Sequence, residues 1–212
     1  MKIEINRLLA PVTALGPGRR LALWVQGCDL RCQGCASRDT WDRGAGTVTD
    51  TAALAALMAG SITEHGLDGI TITGGEPLQQ AEPLAELLSR VRAHAGLESI
   101  HVLMFTGYAW PAARRRAERL WDLVDGFVCG PYRLDRPPKA GGDPLVASAN
   151  QRVIHLRPPA ANPPWPKTVE LQMMIDGDDL LMVGLPGPGD LDRIRQRLAD
   201  RGVALEAVSW QN

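Results

Sequence analysis

The stretch Arg20-Leu21-Ala22-Leu23-Trp24-Val25-Gln26-Gly27-Cys28 decides how the rest of the chain is read. It is a short apolar run that stops at a glycine and then a cysteine, the pattern of a buried strand with chemistry at its end. Gly69-Ile70-Thr71-Ile72-Thr73 and His101-Val102-Leu103-Met104-Phe105 repeat the pattern further along. Leu123–Cys129 and Gln151–Leu156 are two more strand candidates. Between them lie helical patterns. One is an Ala/Leu-rich run over roughly residues 50–64 with Thr49 and Asp50 as possible caps. A second carries Leu84, Leu87, Leu88 and Val91 at helical spacing behind Pro77 or Pro83, and a third is Arg-rich and runs from Pro111 to about Trp121.

Strands alternating with helices of this length predict βαβ units around a parallel sheet. A complete eight-unit barrel takes about 250 residues, so the 212-residue chain predicts an α/β fold with a partial (β/α)6 TIM-type barrel. Residues 1–156 are assigned to that barrel. Residues 157–212 are read as a proline-rich linker and a small C-terminal α/β appendage. The appendage is expected to hold a hairpin over 168–183, a helix over 190–201 and a last strand, Val203–Glu206. Nine of the 16 prolines fall between Pro131 and Pro166, which marks loops on both sides of the 151–156 strand.

Lys and Arg number 23 against 24 Asp and Glu, so the overall charge gives no case for a nucleic-acid partner. No apolar run approaches the roughly 18 residues of a membrane span, and the first residues lack a signal peptide's apolar region. A cytoplasmic protein, with no membrane or nucleic-acid partner, is expected.

Cys28, Cys32 and Cys35 lie within eight residues, in a C-x3-C-x2-C arrangement. Thiolates this close suit one metal centre better than a disulfide framework. Zinc wants four ligands and would have to recruit Cys129 or a histidine. A 4Fe–4S cluster held by three cysteines would keep one iron open to a substrate or cofactor. Spacing alone leaves both metals possible. Cys129, at the end of an apolar run, reads as a buried thiol, and His65, His94, His101 and His155 form no ligand-spaced pair.

Two further motifs also sit at strand ends. Thr73-Gly74-Gly75-Glu76-Pro77 offers backbone carbonyls and a carboxylate that together could hold an ammonium group; it is equally a good strand-to-helix turn. Phe105-Thr106-Gly107-Tyr108 offers the Thr106 hydroxyl, or a plain turn. In a barrel all three motifs open on the C-terminal face, where such folds build their sites.

With these motifs together the chain resembles the radical S-adenosylmethionine superfamily, and within it the small activating enzymes of glycyl-radical enzymes, those of anaerobic ribonucleotide reductases in particular. The matching stretches are Gly16-Pro17-Gly18-Arg19, Trp24-Val25-Gln26-Gly27-Cys28, Cys32-Gln33-Gly34-Cys35, Thr40-Trp41, Thr73–Leu78, Phe105–Tyr108 and Asn150–Ile154. The resemblance implies that Cys28, Cys32 and Cys35 hold a 4Fe–4S cluster and that S-adenosylmethionine chelates its open iron. It also implies that Thr73, Gly74, Gly75, Glu76 and Thr106 help bind the cofactor, and that Gly34-Cys35-Ala36 pass close to it. The implied reaction is reductive cleavage to methionine and a 5'-deoxyadenosyl radical, which takes a hydrogen from a glycine of a glycyl-radical-type partner. The electron is expected from a flavodoxin or ferredoxin-type donor, for which Arg114-Arg115-Arg116 is a possible dock. The alternatives are a radical enzyme acting on a small molecule or peptide, and a non-catalytic zinc-binding module.

Overall fold

The computed structural model describes residues 1–157, 163–168, 170–176, 179–187 and 189–205. Its main sheet contains β1 (Lys2–Val12), β2 (Arg20–Val25), β3 (Thr47–Asp50), β4 (Gly69–Gly74), β5 (His101–Thr106), β6 (Gly126–Cys129) and β7 (Arg152–His155), in the order β3-β1-β2-β4-β5-β6-β7. The central strands β2, β4, β5 and β6 are parallel. β1 runs antiparallel to β2 and to β3, and β7 antiparallel to β6. The α/β class therefore holds, with a mostly parallel sheet. The count differs from the expected six units: the described residues form four parallel strands, and antiparallel strands extend both sides.

The helices are α1 (Thr51–His65), α2 (Ala81–Arg92) and α3 (Trp110–Arg116). α1 begins and ends where its residues dictate. The Asp50 carboxylate caps α1 by accepting from the Ala52 N–H at 2.9 Å, and Gly66 closes it in the left-handed conformation (φ 57°). In α2, Leu84, Leu87, Leu88 and Val91 form one buried stripe at i, i+3, i+4 and i+7. α3 is shorter than expected and gives way at Ala117 to a 3-10 turn, Glu118–Leu120.

All three helices pack on the same face of the sheet. Leu21, Leu23, Val25, Ile70, Ile72, Val102, Met104 and Phe127 point to them and form the main core with Met58, Leu87, Leu88 and Leu120. Alternate residues, Ala22 and Trp24 on β2, Leu103 on β5 and Val128 on β6, face the other way. At the N-terminal end of that second face sits Arg20, 0% exposed. Its guanidinium donates to Thr71 Oγ1 (2.6 Å), to the carbonyls of Pro17 (3.0 Å) and Ile70, and to the His101 carbonyl (3.2 Å). Burial pushes its pKa down to about 9, so it stays charged at neutral pH. This polar plug closes the far end of the face and leaves the end near Trp24 open.

The appendage contains a hairpin of β8 (Leu171–Asp176) and β9 (Asp179–Gly184), then α4 (Asp190–Ala199). The hairpin and the helix fall where the sequence pattern puts them. The last strand does not: residues 203–205 carry no strand, and Glu206 lies outside the described residues. Among the described residues no helix is long and apolar enough to cross a membrane.

Candidate active site

The motifs at the ends of β2, β4 and β5 meet. β2 and β4 are in register from Arg20–Gly69 to Val25–Gly74, so the loop after Val25 and the turn after Gly74 emerge side by side. Gly75 N donates to Val25 O (2.8 Å) and Glu76 N to Gly27 O (2.9 Å), which laces the two strand ends together. The glycines are what allow this approach. A Cβ on Gly75 would lie 2.3 Å from Gly27 O, and Gly74 combines φ +100° with 2.7 Å to the backbone of Val25.

The cysteine loop closes on itself through its far end. Gly27 N donates to Thr40 O (2.8 Å) and Cys28 N to Trp41 O (2.9 Å), which explains why Thr40-Trp41 belongs with the cysteines. Within the loop Arg31 adopts a positive φ of 43°, uncommon for a residue with a side chain. Each cysteine sulfur receives N–H groups: Cys28 from the backbone of Leu30 and Arg31, Cys32 from Tyr132, and Cys35 from Ser37 and the Trp41 indole. Burial pushes all three thiols up, and these hydrogen bonds pull them back. Arg38 and Arg31 lie 5.0 and 5.7 Å from the Trp41 ring centre and hold it in place.

Glu76 is 1% exposed. Its Oε1 accepts from Leu78 N (3.0 Å) and Thr106 Oγ1 (2.8 Å), and its Oε2 from Gly107 N (2.7 Å). Burial raises its pKa while these three donors lower it. An ionised carboxylate can accept about four such bonds, so one lone pair remains for a ligand. The Thr106 hydroxyl proton is committed to Glu76, so Thr106 positions the carboxylate and ties β5 to the turn after β4.

A cleft of about 1500 Å³ opens at these strand ends. Cys28, Cys32, Gly34, Cys35, Ala36, Thr73, Gly74, Gly75, Glu76 and Thr106 all line it. The floor is Trp24 and Phe105 from the helix-free face of the sheet. Sequence reasoning missed Tyr132 and Leu134, which follow β6 and lie 3.3 and 3.4 Å from where a Gly34 Cβ would stand. Gly130-Pro131 directly after a strand end was the signal available for them. Sequence reasoning singled out no residue of the C-terminal segment, of which Met173, Ile175, Leu180, Leu191, Ile194 and Leu198 line the same cleft; nothing local in that segment marks a site.

The residues fit a 4Fe–4S cluster. Cys129 faces the helix-side core, 2% exposed, with its thiol pushed up to about 12 by burial, and does not line the cleft. Among the described residues no three His, Cys, Asp or Glu side chains stand close enough to hold a single metal ion. Zinc needs its ligands about 2.0–2.3 Å from one point. A cluster is bound at separate iron corners, and N–H groups on its cysteine sulfurs are a normal part of its setting.

The 4Fe-4S single cluster domain family matches residues 14–154. The anaerobic ribonucleoside-triphosphate reductase-activating protein of Enterobacteria phage T4 is 32% identical over 58% of this chain and 78% of its own length. The protein of that name from Escherichia coli (strain K12) is 31% identical over 67% of this chain and 92% of its own. The pyruvate formate-lyase-activating enzyme of Listeria monocytogenes serovar 1/2a is 37% identical over 38% of this chain and 34% of its own.

Proposed function

Because the chain belongs to the 4Fe-4S single cluster domain family, as a radical S-adenosylmethionine enzyme of the glycyl-radical-activating kind, we propose that it places a radical on a glycine of a partner protein. Its cofactors are a 4Fe–4S cluster and S-adenosylmethionine. When bound and reduced by an external one-electron donor, the cluster would supply one electron to the sulfonium of S-adenosylmethionine, chemistry whose products are methionine and, once a hydrogen atom has been taken from glycine Cα, 5'-deoxyadenosine. Cys28, Cys32 and Cys35 hold three irons. The backbone of Thr73, Gly74 and Gly75, with the spare lone pair of Glu76, receives the cofactor's ammonium group, and Gly34 to Ala36 border it. Trp24 and Phe105 supply an apolar floor that keeps water from the reacting atoms.

One observation carries this reading. Every residue named for the cluster and the cofactor lines a single cleft at the C-terminal ends of the parallel strands. A partial barrel is the architecture we assign, because α1, α2 and α3 all cover one face and leave the other to the cleft. The relatives that match this chain over most of their own length are named as activating proteins of another enzyme, which favours a protein segment over a small molecule as the radical's target. A flavodoxin or ferredoxin-type donor is the electron source we assign, and its dock is Arg114-Arg115-Arg116, exposed at the end of α3. Arg116 stacks 4.3 Å over Tyr108, whose hydroxyl accepts from Gln79 (3.2 Å), and Gln79 in turn accepts from Asp29 N (3.3 Å).

The test is 5'-deoxyadenosine formed by anaerobically reconstituted protein given dithionite and S-adenosylmethionine. Wild type yields product and Cys32→Ala yields none. No product from a protein with a verified 4Fe–4S cluster overturns the assigned cleavage.

A further inference from the structure

The appendage lies beyond residue 154, where the family match ends, yet it walls the cleft. Its hairpin has two unlike faces. Gln172 and Val183, a cross-strand pair, turn toward the main sheet: Gln172 bonds Thr13 N and Pro11 O at 2.9 Å each, and Val183 is 3% exposed against Val12, Leu15 and Trp24. The opposite face carries the cross-strand pairs Met173–Met182 and Ile175–Leu180. Met173, Ile175 and Leu180 are 46, 83 and 36% exposed. Of the large apolar side chains exposed among the described residues, these three with Leu134 and Val203 line the cleft; the rest, Met1, Val48 and Leu57, do not. α4 adds Leu191, Ile194 and Leu198 at i, i+3 and i+7, all lining the cleft, while none of its residues is buried. Exposed apolar surface concentrated in this way marks an interaction site.

We propose that this wall is the docking surface for the glycine-bearing segment of the partner protein, and that the segment is extended and apolar on both sides of its glycine. The inference rests on the proposed function and names the partner surface of that same site. A backbone glycine must come within contact of the cofactor to lose its hydrogen. The cofactor-binding residues and the wall share one cleft, so a chain reaching the former lies against the latter. Its flanking side chains would cover Met173, Ile175 and Leu180 and seal the radical from water.

The experiment uses full-length, cluster-loaded protein with S-adenosylmethionine and a nine-residue synthetic peptide whose central glycine, dideuterated at Cα, is flanked by Val and Leu. Binding is measured by calorimetry. Ile175→Asp/Leu180→Asp is expected to weaken it at least tenfold, and Leu57→Asp, on α1, to leave it unchanged. In wild type the peptide should slow amide hydrogen exchange across 171–184. Equal binding by wild type and the double variant, or no binding and no protection in wild type, overturns the proposal. So does a wild-type dimer that the double variant converts to monomer, since the wall would then be covered by a second copy. 5'-deoxyadenosine from wild type without peptide is scored separately. Its absence beside wall-dependent binding would sink the cleavage reading and leave the docking surface standing.

Discussion

Glu76 shows at the scale of one residue how much of a candidate group is legible in spacing and how much folding adds. Its position beside Gly74-Gly75 marked it as a candidate ammonium ligand or part of a plain turn, but its hydrogen bonds to Leu78 N, Thr106 Oγ1 and Gly107 N depend on folding and cannot be read from spacing. Glu76→Gln keeps the shape and turns an NH₂ toward one of these buried donors. An unsatisfied buried donor costs about 1–3 kcal/mol, so the variant should lose that much in urea unfolding and also bind S-adenosylmethionine more weakly. Full stability in the variant would show that the carboxylate is not the organiser of the turn. His101 gives a second residue-scale prediction. Burial first, then Arg20, His155 and Arg92, lower its pKa to about 4 against the opposing pull of Asp125. The unfolded chain takes up this proton near pH 6.5, before the folded one does. The stability contributed by neutral His101 is therefore complete above pH 6.5 and is lost as pH falls through 4. Thermal midpoints measured from pH 7 to pH 4 should fall more steeply for wild type than for His101→Gln. Parallel curves would refute the assignment.

Among the elements, the strands that carry the site were legible, whereas β1 and β3, which flank it on one side, were not. β2, β4 and β5 are short apolar or β-branched runs bounded by turn residues, and they lie where the pattern puts them. β1 escaped because its alternation is broken by register shifts at Ile5/Arg7 and Leu9/Val12 and because Pro11 lies within it. β7 was legible as a strand, but its antiparallel direction depends on how the chain returns from β6, which no local pattern encodes. The glycines illustrate the same boundary. Gly74-Gly75 was legible as a turn, whereas its tight packing on Val25 and Gly27 is a property of two strand ends meeting. Gly75→Ala forces a Cβ against Gly27 backbone, next to the first cluster ligand. We expect a loss of about 1–3 kcal/mol from overpacking and less iron bound per chain on reconstitution. Gly60, inside α1 with nothing within 4 Å of where a Cβ would stand, is the control: Gly60→Ala should gain about 0.4–1 kcal/mol by restricting the unfolded chain. Iron binding unchanged in Gly75→Ala would mean that the two strand ends can separate without disturbing the cysteine loop.

On the scale of the whole molecule, the question is how the appendage is joined to the sheet. The prolines placed a boundary near residue 157 and the hairpin and helix beyond it, but the surface on which they dock lies in the tertiary structure alone. That surface is narrow. Val183 is the one large apolar residue of β8, β9 and α4 buried among those described, against a helix-side core spread over β2, β4, β5, β6 and three helices. The division into 1–156 and 157–212 that we propose therefore predicts separable stabilities. Val183→Asp puts an unpaired charge against Val12, Leu15 and Trp24, a cost large enough to release a weakly held unit. The core behind the sheet is untouched. Limited proteolysis should then trim the variant to a fragment ending before residue 171. The fragment's thermal midpoint should stay within about 4 °C of wild type, roughly the shift expected from 1 kcal/mol in a chain of this size. Trp24 fluorescence should report exposure of the cleft floor in the same variant. Resistance to proteolysis together with a much larger fall in the midpoint would show one cooperative unit, with the wall of the cleft as integral to the fold as the strands that carry the cysteines.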